Sequence, residues 1–89
     1  SEHEISTSDL PTFGDTLDGR NYFPRILTKA RAKLRGELDP DIMYGCGGDR
    51  KFLRDHGNIN PADFLRHVWV SGDDDQHIIN YVRSKSSKH

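Results

Sequence analysis

The chain has 89 residues, 33% of them apolar and 30% charged, with a net charge of −1. That length points to one domain at most, burying only roughly 60% of its unfolded surface, and the composition is polar without being one that leaves a chain disordered. Cys46 is the sole cysteine, which rules out an intrachain disulfide and every multi-cysteine zinc motif, the two usual staples of very small domains.

No apolar run approaches the roughly 20 residues that span a bilayer, and no leader pattern opens the chain. The expectation is therefore a cytoplasmic protein with no membrane partner. Charge is unevenly placed. Residues 1–19 carry five acids (Glu2, Glu4, Asp9, Asp15, Asp18) and no Lys or Arg, whereas residues 20–36 carry six bases (Arg20, Arg25, Lys29, Arg31, Lys33, Arg35) and no acid. Such a block is most often a solvated helix face, and less often an anion, partner or nucleic-acid surface.

In chain order, residues 1–20 show neither helical nor strand periodicity and read as an acidic, partly disordered arm with a few apolar anchors. The first helix is expected from Tyr22 to Gly36, capped by Asn21, with Pro24 in its first turn. Phe23, Ile26, Leu27, Ala30 and Leu34 form its apolar face, and Gly36 is its stop. Residues 37–48 are a connection rich in turn residues, with Ile42, Met43 and Tyr44 as a brief extended piece. A short helix follows from Asp49, its natural cap, to His56, and Gly57 ends it. Asn60-Pro61-Ala62-Asp63 is a strong helix start, and Phe64, Leu65, Val68 and Trp69 supply the buried stripe up to Gly72. Asp73, Asp74 and Asp75 open a last helix with Ile78, Ile79 and Val82 inward and Arg83 and Lys85 near its end, suiting the helix dipole. The expected fold class is all-α: a compact, irregular packing of about four helices with an extended N-terminal arm over residues 1–20, a single helical domain over 21–85 and a frayed tail over 86–89.

The segment Tyr22-Phe23-Pro24-Arg25, with Lys29-Ala30-Arg31-Ala32 after it, resembles the first helix of a bacterial domain-of-unknown-function family, number fifty sixty-nine. That family continues with a Tyr-x-Cys-x-x-Asp turn, matched by Tyr44, Cys46 and Asp49. Gly57 and the closing aromatic-Val pair Tyr81-Val82 also match, so the likeness covers roughly residues 17–83. Phe23 stands where the family tends to have Leu, and Tyr81 where Trp is common. The resemblance implies a small bacterial helical protein and supplies no reaction, substrate or cofactor.

Several residues carry chemistry worth locating. Cys46 lies between Gly45 and Gly47-Gly48 just ahead of a helix start. Converging N–H groups there would favour an anion, and the same field would favour the thiolate, making Cys46 the candidate nucleophile. The alternative is a tight turn holding a small buried hydrophobe. Arg25, Lys29, Arg31 and Asp49 are candidate ligand-binding residues with it. Arg25 and Lys29 share a face and Arg31 does not, and a salt bridge or cap to a nearby loop is the commoner use of such arginines. Asp73-Asp74-Asp75 with His77 lacks any metal-ligand spacing and reads as capping, so no metal or cofactor is expected. His67-Val68-Trp69-Val70 wraps more apolar surface round one helix than a small core covers, which marks Trp69 and Val70 as interface candidates.

These features favour, first, a small binding or accessory module acting on a protein partner or a second copy of itself. A small enzyme or anion-binding protein using Cys46 with Arg25 and Arg31 comes second. Nucleic-acid binding through the basic helix at 20–36 comes last.

Overall fold

The computed structural model describes residues 7–87, which fall into two units dividing between Tyr44 and Gly45. The helical domain expected over 21–85 spans both. Residues 1–6 of the acidic arm and the last two of the tail lie outside the described residues.

In the first unit a turn of 3-10 helix at Thr7–Asp9 leads to Leu10, which is buried. Two short strands follow, β1 (Thr16–Leu17) and β2 (Arg20–Asn21), paired antiparallel with Thr16 opposite Asn21 and Leu17 opposite Arg20. Asp18 and Gly19 join them, both at positive φ (56° and 71°). A two-residue hairpin whose twist matches its strands needs positive φ at both positions, and Asp-Gly is a preferred pair for it. The chain is therefore mostly helical and not all-α: part of the expected arm is a hairpin.

Helix α1 runs from Phe23 to Leu34. Its cap residue is Tyr22 and not Asn21, which belongs to β2; Tyr22 turns the chain at φ 76° with no side-chain cap bond. The stop is the expected Gly36, at φ 71°. Gly36 N–H donates to the Lys33 carbonyl and Glu37 N–H to the Ala32 carbonyl, the paired bonds of a Schellman motif. Phe23, Ile26, Leu27 and Ala30 are buried as the periodicity requires, but Leu34 is partly exposed in the fraying last turn, and Ala32 is buried instead. Beyond α1, Asp41 N–H donates to Asp39 Oδ1 and Ile42 N–H to the Asp39 carbonyl. Ile42–Tyr44 therefore continues a turn instead of forming an extended piece.

The second unit holds α2 (Gly47–Asp55), α3 (Pro61–Ser71) and α4 (Asp75–Ser86). Helix α2 starts two residues earlier than Asp49, with Cys46 as the capping residue. Asn60 caps α3 as read from the sequence, its Oδ1 accepting from Ala62 N–H at 2.8 Å. Asp74 caps α4 through Gln76 N–H and His77 N–H. Each such cap stabilises its helix by about 1 kcal/mol. The core of the unit is Phe52, Leu53, Ile59, Phe64, Val68, Ile78, Ile79 and Val82. On α3 the inward line is Phe64, Val68 and Ser71, spaced four and three apart, and it leaves Leu65 half-buried. Helix α4 reaches Ser86, the first residue of the expected frayed tail, and Ser86 Oγ donates to the His56 carbonyl at 3.1 Å.

That last bond ties the end of α4 to the end of α2, where Gly57 stands at φ 115°. A Cβ there would lie 2.5 Å from the Lys85 carbonyl oxygen and 2.7 Å from its carbon. Only a glycine accommodates both that φ and that approach. Gly57→Ala is expected to lower stability by about 2–4 kcal/mol, read as a reduced urea midpoint at unchanged slope, whereas Gly47→Ala, in open space at negative φ, stays within about 1 kcal/mol of the parent.

Candidate functional site

The line Phe64, Val68 and Ser71 decides where the rest of α3 points. Each residue turns the helix by 100°, so Trp69 and Val70 lie off the buried line and face solvent, at 74% and 68% exposure. The sequence reading of Trp69 as part of the buried stripe is corrected here. Ala62 and Arg66 are exposed on the same side of the helix. Arg66 pairs with Asp63 at 3.1 Å beside the apolar pair.

Cys46 and Asp49 lie at the start of α2. Cys46 is half-buried, with extended backbone, and its carbonyl accepts the Arg50 N–H at 2.9 Å. Asp49 is fully buried, at 0% exposure, and its Oδ2 accepts the buried Gly45 N–H at 2.8 Å. An acid in the third helical position reaching back past the cap satisfies a donor that the helix start would otherwise orphan. Asp49 thus shapes the turn that leads into α2.

The basic residues of the first unit are largely tied to their own chain. Arg25 donates from Nη1 to the Pro11 carbonyl at 3.0 Å, and its guanidinium covers the Phe13 ring at 4.5 Å. Phe13 also packs on Tyr22, ring centroids 5.6 Å apart. Lys29, only 2% exposed, sends Nζ to the Met43 carbonyl at 3.3 Å. Both of these bonds end on backbone carbonyls. Arg20 faces Asp18 at 3.5 Å, Arg35 pairs with Glu37 at 2.7 Å, and Arg31 is half-buried. Arg25, Lys29 and Arg31 belong to the first unit, Cys46 and Asp49 to the second.

Within the second unit, His67, Asp74, Gln76, His77, Asn80 and Tyr81 line an open cavity of about 560 Å³. His67 and Tyr81 stack at 3.8 Å, Asp74 is engaged as a cap, and Gln76 donates to Asn80. Among the described residues no group of three or more His, Cys, Asp or Glu could hold a metal ion, and no helix is long and apolar enough to cross a membrane. The Tyr81 hydroxyl is buried and meets no hydrogen-bond partner among the described residues. Burial, reinforced by the charge of Asp63, pushes its pKa above the ordinary value. Sequence reasoning passed over Arg50 and Arg54, exposed residues one turn apart on α2; their signal was the like-charge spacing of four.

The helices, caps and turns described here define a small, mostly helical protein with an exposed aromatic face. The chain belongs to the family described as Domain of unknown function (DUF5069), whose model matches residues 11–89. No curated protein and no solved structure matches it.

Removing the buried acceptor at Asp49 strands the Gly45 N–H, so Asp49→Ala is expected to cost about 1–3 kcal/mol, measured by chemical denaturation. Tyr81 has the opposite sign. Its folded pKa lies above the unfolded value near 10, so its contribution is intact below pH 10 and is lost as pH rises through the folded pKa. Tyr81→Phe removes an unsatisfied hydroxyl and is expected to be neutral or stabilising by about 1 kcal/mol at neutral pH, with a smaller loss of stability between pH 10 and 11 than the parent shows.

Proposed function

We propose that the chain is a small protein-interaction module that docks through the outer face of α3. The observation that supports this is the exposure of Trp69 and Val70, adjacent large apolar side chains on a regular helix whose opposite face is fully occupied by core. Leaving such surface in water is unfavourable at about 25 cal/mol per Å², and tryptophan is among the residues that most often dominate binding energy. The lone cysteine and the family resemblance favour a bacterial cytoplasm as its setting. The basic-helix reading has less support, because Arg25, Lys29 and Arg35 are bonded within their own unit. An active site joining Cys46 to Arg25 is weakened in the same way, since Arg25 is held by Pro11 and Phe13.

Trp69 is the only tryptophan, so its fluorescence reports on this face alone. In the isolated protein its emission is expected to be that of a hydrated indole, shifting to the blue when the partner, or a second copy at high concentration, covers it. Trp69→Ala is expected to leave stability within about 0.5 kcal/mol of the parent, as exposed substitutions do, while abolishing co-purification of the partner retained by the parent from its native host. Equal retention by both proteins, or a stability loss of core size, would overturn the proposal.

A further inference from the structure

We propose a second site, an anion pocket on the second unit that takes a phosphate dianion through Arg50, Arg54 and Asn58. Helix α2 places Arg50 and Arg54 four residues apart, so their side chains rise from the same face with Cβ atoms about 6 Å apart. The helix ends at Asp55, and Gly57 and Asn58, both at positive φ, turn the chain toward Ile59 and Pro61. Arg50, Arg54, Asn58, Ile59 and Pro61 line an open cavity of about 310 Å³, at the lower end of the range for small-ligand sites.

Two guanidinium groups at this spacing repel each other, and a structural role would show as a carboxylate between them. None is there among the described residues. Asp55 is taken by Lys51 at 2.7 Å and feels Arg54 only at longer range. Asp63 is taken by Arg66, Asp74 caps α4, and Asp49 is buried on Gly45 N–H. Every nearby acid whose partner is seen faces another group, while Arg50 and Arg54 are both exposed. Two planar forks with an amide beside them fit a tetrahedral oxyanion, and a dianion relieves the repulsion more fully than a carboxylate does. The cavity admits one phosphate group and a small organic remainder, so the ligand class is a small phosphomonoester, either free or as a lipid headgroup.

The test is a titration of the ¹⁵N-labelled full chain with inorganic phosphate. Saturable shifts are expected at Asn58 and at the Nε–H groups of Arg50 and Arg54. Arg50→Gln and Arg54→Gln should each weaken binding about tenfold or more, and the double variant should abolish saturation. Arg83→Gln removes the same charge elsewhere on the unit and should leave the affinity unchanged. Glycerol phosphate in solution and vesicles of phosphatidylcholine with phosphatidic acid separate the two sources of the phosphate group, tighter binding of either supporting the pocket. Shifts that stay linear, or that weaken equally in Arg83→Gln, would overturn the proposal. Tight binding of an oligothymidylate without saturation by inorganic phosphate would overturn it in favour of a nucleic-acid surface.

Discussion

At Gly57 the backbone of α2 meets the backbone of α4 with no room for a side chain, a Cβ there falling 2.5 Å from the Lys85 carbonyl oxygen. Much of the second unit follows from this contact. It ends α2, brings the last turn of α4 to its side, and lets Ser86 bond the His56 carbonyl. From Gly57 the chain turns through Asn58 at positive φ, buries Ile59, and reaches Asn60 where that side chain caps α3. Helix α3 therefore starts from a determined point, and its core line of Phe64, Val68 and Ser71 determines which residues remain outside. A close backbone approach of this kind is short-ranged and tolerates no substitution that adds an atom.

The first unit uses a different device. Two of its cations, Arg25 and Lys29, are ties between helix α1 and segments distant along the chain, both ending on backbone carbonyls. Pro11 precedes the hairpin and Met43 follows the turn after α1, so α1 gathers both sides of its own unit by side-chain donors. An arginine over an aromatic ring adds attraction beyond the hydrogen bond, and Phe13, otherwise exposed, gains partners in Arg25 and Tyr22. The lysine stem also buries apolar length along the way. A basic block in a sequence is therefore not a basic surface when its members serve as ties.

The two proposed surfaces lie on the second unit and are of opposite physical kinds. The outer face of α3 offers area to be removed from water, and the pocket at the end of α2 offers charge in want of a counterion. Neither depends on Cys46, which serves as the capping residue of α2 with its turn held by Asp49. Ahead of that helix start a buried carboxylate and the Gly45 amide answer each other locally.

How much of this was legible in advance depends on the range of the interaction. Local chemistry was readable: Asn60 as a cap, the Asp73-Asp74-Asp75 run as a capped helix start, Pro61 at a helix start, Gly36 and Gly57 as stops, and the spacing of Phe64 and Val68 or of Ile78, Ile79 and Val82. Each rests on bonds within about four residues, which is the range a sequence pattern reports. The Asp18-Gly19 hairpin belonged to that class and was missed for want of strand length, although the dipeptide itself is the signal. Tertiary structure alone decided that Trp69 faces water while its neighbour Val68 is core, since periodicity offers both and only the helices packed against α3 choose. It alone decided that Arg25 reaches Pro11 and that Gly57 meets Lys85, because those partners are 14 and 28 residues away and nothing in the local pattern names them.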